Sequence, residues 1–379
     1  MLSIKHNNSM IELIKIYSSY LQQIQKISTT ITAHFMNGST SAGSGFLIEY
    51  NSEIYVATAA HVILSGGDPA QSINVTYYKT GKNYFKQINT TSPSDNVYYN
   101  ILTDVAFLKL NDSDVKIIPV AYANSRSVNI GSSCIVIGNP LSSDINSYSF
   151  GVVRDNNYVY GGLNNSYESL LVDAATYSGN SGGMMLSLDE NNTIEIIGML
   201  QYGFLHGAKT SGSTSNNVSV PSENFGGGIS SSFLSFVTNT ILSHGQKGEY
   251  VFPTLNLKTR PIDNYWLVSY YQSKNHNTQD GCYLNDSFNA IGSNPSLLSN
   301  TVIEKIDNYS IGAQLGGYNV YSILIEKYHD NPDSDVKLTI IDNGTEVPYT
   351  YTIKDLFNTS GATQQNSEFM FNTKEHYLL

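Results

Sequence analysis

From about residue 29 onward the apolar residues of this chain fall in short runs, each closed by turn-forming residues. SGFLIEY and EIYVATAAHV are joined by Asn51-Ser52; VAFLKL and CIVIGNP follow, then SLLVDAA and IEIIGMLQYG. Short strands separated by turn residues over roughly 200 residues point to an all-β sandwich or a pair of barrels. The fold class read from the pattern is mainly β.

Helical periodicity is confined to a few places. In SMIELIKIYSSYLQQIQKIS, residues 9–28, Ser9 and Glu12 match a capping box, and Met10, Leu13, Ile14, Tyr17, Leu21 and Ile24 recur at helical spacing. SSFLSFVTNTILSHG reads as a helix ending at Gly245, and GQKGEYVFPTLN after it reads as a linker. A smaller α+β unit follows. It takes YWLVSYY, GCYL and TVIEKID, the helical VYSILIEKY, and KLTIIDNGTEVPYTYTI, a hairpin around Asn343-Gly344. The Gly/Ser/Asn-rich stretch 203–228 is too long for an ordinary turn and reads as a functional or mobile loop. The last twenty residues are polar apart from an apolar end, HYLL.

A chain of 379 residues with 40% hydrophobic content exceeds one ordinary core, so two domains with tails are expected. The formal net charge of −11 and the three arginines, Arg126, Arg154 and Arg260, argue against nucleic acid as the main partner, because no basic stripe exists to neutralise phosphates. No apolar run reaches the ~18–20 residues of a membrane span. MLSIKHNNSM lacks the apolar stretch of a secretory signal, so an intracellular or virion-associated setting is expected rather than secretion. Cys134 and Cys282 read as isolated, reduced, buried thiols. No Cys/His spacing resembles a metal site, and neither metal nor cofactor is expected.

Chemistry concentrates around DAATYSGNSGGMM, residues 173–185. Glycines crowd a serine where the backbone must take positive φ or approach something closely. A nucleophile elbow has that requirement: its bend aims the N–H groups of Gly179 and Ser181 at one spot beside the Ser181 hydroxyl. Upstream, Thr58-Ala59-Ala60-His61 ends one strand and Thr103-Asp104-Val105-Ala106 begins another. The order His61, Asp104, Ser181 is one of the known triad orders. Serine needs a base to attack a carbonyl, His61 can take and return a proton near neutral pH, and Asp104 can fix its tautomer.

These motifs carry a resemblance. GSGFLIEY…VATAAHV, TDVAFLKL, IVIGNP, DAATYSGNSGG, EIIGMLQYG and GGGISSSFLSFVTNTILSHGQ stand in the order seen in the HtrA/DegP family of serine proteases, over residues 29–247. The resemblance implies a chymotrypsin-like double β-barrel, polypeptide substrates, and His61, Asp104 and Ser181 as base, orienting acid and nucleophile. It implies an oxyanion hole from Gly179 and Ser181 with help from Asn180, and a homo-oligomer, a trimer, formed through segments before the first barrel, here residues 1–28. The helix could instead pack on its own barrel. Residues 258–357 resemble a diverged PDZ domain, followed by a tail, 358–379.

The departures carry information. Tyr265-Trp266-Leu267-Val268 stands where the family's carboxylate-binding loop usually reads Tyr-Leu-Gly-Ile, and Met184 stands where Pro commonly follows GNSGG. Asn180 has no charge to pair with a freshly cut N-terminus, so activation by trimming is not expected. Ala175, Thr176 and Tyr177 occupy one expected wall of the primary specificity pocket, and Met199, Leu200 and Gln201 the other. No acid sits there, which favours a small or medium aliphatic residue before the cut. An esterase, or a non-catalytic scaffold using the PDZ-like module and the first helix, are the alternative readings. The end Tyr377-Leu378-Leu379 is expected to dock between a strand near Trp266-Leu267-Val268 and the helix Val320–Tyr328.

Overall fold

The computed structural model describes residues 2–79, 81–91, 96–139, 147–160, 167–208, 218–262, 265–273, 281–289, 295–311, 319–342, 344–358 and 376–378. Helix α1, Leu2–Ile27, begins well before the Ser9–Glu12 pair, so that pair lies inside the helix and does not cap it. Tyr17, Ile24 and Ile27 are buried against the chain's own sheets. The Tyr17 hydroxyl donates to the Ser133 carbonyl at 3.0 Å and that of Tyr20 to the Asn192 carbonyl, also at 3.0 Å.

The first sheet follows without a break. Its strands are β1 (Ser28–His34), β2 (Thr40–Tyr50) and β3 (Glu53–Ala59), then, after the single helical turn α2 (Ala60–Ile63) and the short ladder β4 (Leu64–Ser65) with β5 (Asp68–Pro69), β6 (Ser72–Lys79), β7 (Lys82–Asn89), β8 (Val97–Asn100) and β9 (Val105–Lys109). The order across it is β8-β9-β3-β2-β1-β6-β7. The two-residue turn between β2 and β3 has Asn51 at φ 49° and Ser52 at φ 63°, the left-handed pair that matches strand twist.

The second sheet contains β10 (Ser133–Gly138), β11 (Ser147–Tyr160), β12 (Tyr167–Asp173), β13 (Met184–Leu188), β14 (Ile194–Ala208) and β15 (Val218–Ser230). Its order β13-β10-β11-β12-β15-β14, with β13 also paired to β14, closes a six-stranded barrel. Most of the expected loop 203–228 is therefore strand. Cross-strand pairs from Leu205↔Pro221 to Ala208↔Val218 extend the β14–β15 hairpin, because ladder hydrogen bonds outweigh weak intrinsic propensity. Only 209–217 of that stretch lies outside the described residues. Helix α3, Ser231–His244, has Ser230 as N-cap and Gly245 at φ 67° as its left-handed stop, as its sequence indicates.

The segment read as a linker is pinned. Within it β16 (Gly248–Glu249) pairs parallel with β8, and β17 (Thr254–Leu255) pairs with the late strand β24 (Phe357–Asn358). The smaller unit is a sheet of β18 (Thr259–Pro261), β19 (Cys282–Leu284), β20 (Val302–Ile306), β22 (Asp335–Asp342) and β23 (Thr345–Thr352), with β21 (Tyr309–Ser310) on β20. The hairpin β22–β23 turns where Asn343-Gly344 indicates; Asn343 itself lies outside the described residues. Helix α5, Val320–Asp330, matches its expected position. YWLVSYY does not form a strand. It is helix α4, Tyr265–Ser273, because Leu267, Val268 and Tyr271 share one helical face packed on Ile262, Val302 and Ile341.

The two parts are joined by a buried ionic network. Glu168 on β12 is 1% exposed and takes Arg126 Nε at 2.8 Å and the Ser230 hydroxyl at 2.8 Å. Arg126 also reaches Glu326 on α5 at 3.2 Å. Tyr321 on the same helix meets the ring of Phe233 on α3 edge to face. The last strand, β25 (His376–Leu378), pairs with β14 and not with the smaller unit. Docking of the tail beside Trp266 is thereby overturned: α4 offers no strand edge there.

Candidate active site

Two side chains of the site are delivered by strand ends and the third by a loop. β3 stops at Ala59, and the single turn α2 buries Ala60, Val62 and Ile63, leaving His61 turned toward the space between the two sheets. β9 begins one residue after Asp104, which sits at φ 52°. That left-handed backbone costs roughly 1–3 kcal/mol in a non-glycine residue and persists only where neighbours over-determine it. Here they do. The Asp104 carbonyl accepts from Ala60 N at 3.1 Å and from Gln201 Nε2 at 2.8 Å.

The Asp104 carboxylate holds His61 twice. Oδ1 accepts the His61 backbone N–H at 2.8 Å, and Oδ2 lies 2.7 Å from Nδ1. With Nδ1–H committed to the carboxylate, Nε2 presents its lone pair, and Ser181 Oγ lies 2.6 Å from it. All three groups are nearly buried: the His61 and Asp104 side chains are each 9% exposed and Ser181 is fully covered. The arrangement can move a proton from a serine hydroxyl onto imidazole while an adjacent carboxylate stabilises the imidazolium.

The Ser181 loop is fixed by bonds to β2 and β14. Ser44 N–H donates to the Ser181 carbonyl and Ser44 Oγ to the Gly179 carbonyl, both at 2.7 Å. Gly182 N–H donates to the Leu200 carbonyl, Gly183 N–H to that of Asn180, and Asn180 N–H to that of Tyr177. Gly182 has φ 82°, and a Cβ there would collide with the Ser44 carbonyl and Thr58 Oγ1. Gly179 has φ 97°. These two positions require glycine. Asn180 does not reach the cleft: its N–H is used within the loop, and its buried Oδ1 lies against Gly138 with no hydrogen-bond partner among the described residues.

The expected pocket residues divide. Ala175 and Tyr177 are half-buried, while Thr176 is fully buried beside Gly226. Met199, Leu200 and Gln201 do not form an open wall, since none has exposed surface. Met199 and Leu200 fill barrel cores. Gln201 is a bracket. Its Nε2 donates to the carbonyls of Thr103 and Asp104 at 2.7 and 2.8 Å; its Oε1 accepts from Ile229 N–H at 2.8 Å and the Tyr167 hydroxyl at 3.1 Å. Sequence reasoning placed Gln201 in the pocket and missed Ser44, whose serine in GSGF gives no signal beyond its own motif. Among the described residues no three His, Cys, Asp or Glu side chains converge to hold a metal. No helix among them is long and apolar enough to cross a membrane.

Comparison with known proteins finds similar chains. Residues 43–199 match the family model described as trypsin-like peptidase domain. A serine protease HtrA-like from Staphylococcus epidermidis is 29% identical over 170 residues, covering 42% of this chain and 27% of that protein. A serine protease Do-like HtrA from Lactococcus lactis subsp. cremoris is 28% identical over 178 residues, covering 43% of this chain and 37% of that protein. The chain thus spans well under half the length of these curated relatives. Among solved structures, the HtrA-type protease AlgW with tripeptide aligns at TM-score 0.54 and 19% identity over 88% of this chain and 95% of that one. AlgW with decapeptide aligns at TM-score 0.51 and 17% identity. The chain is thus similar in sequence to HtrA-like serine proteases and shares the fold of HtrA-type solved structures.

Proposed function

We propose that this chain is a serine endopeptidase that hydrolyses polypeptides through Ser181, His61 and Asp104. The observation that carries the reading is the continuous hydrogen-bond chain Asp104–His61–Ser181, with contacts of 2.7 and 2.6 Å. Ser181 Oγ attacks the scissile carbonyl carbon as His61 Nε2 takes its proton. The tetrahedral oxyanion is met by the N–H groups of Gly179 and Ser181. His61 returns the proton to the departing amine as the C–N bond breaks, leaving an acyl-enzyme. Water, deprotonated by His61, then releases the acid and regenerates the hydroxyl. Asp104 keeps the imidazole oriented throughout and stays ionised.

The protease domain of this reading runs over residues 29–247 and the PDZ-like unit over 258–357. The residue before the cut is small or medium and aliphatic, supported by the absence of an acid among Ala175, Thr176 and Tyr177 and by the close approach of Thr176 to Gly226. The test is casein hydrolysis by the parent chain and by Ser181→Ala and His61→Ala. Each variant should retain the parent's thermal transition and lose ~10⁴–10⁶ in kcat. Parental rates in Ser181→Ala would exclude the assignment.

A further inference from the structure

Barrel closure leaves a bare edge next to Ser181. The β13–β14 ladder ends at Met184↔Met199. Before Met184 the chain turns away into the Ser181 loop, tied to β14 by the bonds of Gly182 and Gly183 to Leu200. Beyond Leu200, β14 keeps β15 on one side, and β13 has vacated the other. A strand edge is a row of N–H and C=O groups that accepts an extended backbone. In this chain β25 lies on that edge, antiparallel, with Leu378↔Tyr202, Tyr377↔Gly203 and His376↔Phe204. From His376 to Leu378 the added strand advances toward Leu200 and hence toward the Ser181 loop.

We propose that residues 376–378 of the same chain act as an internal ligand, occupying the Tyr202–Phe204 edge against any extended polypeptide that would pair there on its way to Ser181. The proposal rests on Ser181 being the nucleophile. A polypeptide bound in this register runs in the direction of β25, its C-terminal side entering the site. Because the occupant is covalently attached, its effective concentration far exceeds that of a free peptide, and substrate must displace it. Ligands that touch only Ser181 and His61 meet no such competition.

The test compares three chains: the parent, one ending at Thr373, and Tyr377→Pro/Leu378→Pro. The double variant removes two successive N–H groups; strand alternation ensures that one of them faces β14. A peptide with four or more residues before the cut should be hydrolysed about tenfold better by both altered chains, mainly through a lower KM. A single-residue ester and a fluorophosphonate should react equally with all three. Equal peptide hydrolysis by all three overturns the proposal. Failure of the fluorophosphonate to label any chain would count against the nucleophile alone. A binding arm then decides the subsite without catalysis. A labelled peptide ending Glu-His-Tyr-Leu should bind the shortened Ser181→Ala chain and not the full-length Ser181→Ala chain. Equal binding to both, or binding to neither, overturns the proposal.

Discussion

Replacing Gln201 by Leu keeps the volume and removes every polar contact of the bracket behind Asp104. Four buried bonds are lost, two given by Nε2 and two received by Oε1. The Asp104 carbonyl keeps Ala60 N–H, so the largest penalties fall on the Thr103 carbonyl and on the groups facing Oε1. A buried group left unmade costs about 1–3 kcal/mol, so a loss of ~3–5 kcal/mol is expected, a large share of a typical domain's stability. The same bracket holds Asp104 at φ 52°. Once released, the carboxylate can drift, and a misplacement of about 1 Å costs ~10² in rate. Thermal unfolding and kcat on one peptide substrate read the two effects. Gln201→Glu is the harsher change: its buried carboxylate would face the Thr103 and Asp104 carbonyl oxygens that Nε2 now serves. It should lose at least as much stability as Gln201→Leu. A Gln201→Leu chain with parental Tm and kcat would refute the reasoning.

Three further outcomes follow from the packing. Gly182→Ala forces a side chain into φ 82° against the Ser44 carbonyl, so kcat should fall by at least ~10² with a lowered Tm, read by peptide hydrolysis and calorimetry. Arg126→Met leaves the Glu168 carboxylate buried without its cation and should cost ~3–5 kcal/mol in urea unfolding, whereas Glu326→Gln, at the half-exposed end of the network, should cost ~1 kcal/mol or less. Burial, reinforced by the charge of Asp173, pushes the Cys134 thiol up to about 12, so iodoacetamide at pH 8 should modify it only in the unfolded chain, as mass spectrometry of digests will show.

Local signals carried much of the fold. Asn51-Ser52, Gly245 and Gly344 are turn and cap chemistry written in one or two residues, and the structure uses them as such. His61, Asp104 and Ser181 were legible because the first two flank strands, the third stands among glycines, and the chain order is that of a triad. What failed needed partners distant in sequence. YWLVSYY has strand composition, yet the apolar face of β20 and β22 selects its helical stripe. Gly/Ser/Asn content at 203–228 suggested a loop, yet the hairpin ladder holds it extended through Ala208. Gln201 reads as one more polar residue at a strand's edge, and only the approach of Thr103, Asp104, Tyr167 and Ile229 makes it a bracket. The placement of residues 376–378 depends on where β13 leaves β14, which no local pattern encodes.

The central claim is that Ser181 is a nucleophile made reactive by His61. A fluorophosphonate applied to the folded chain, with the adduct located by peptide mass spectrometry, tests it most directly. Labelling is expected on Ser181 alone, absent in Ser181→Ala and slowed by orders of magnitude in His61→Ala. An unmodified Ser181 in folded protein, or labelling that does not depend on His61, would contradict the account.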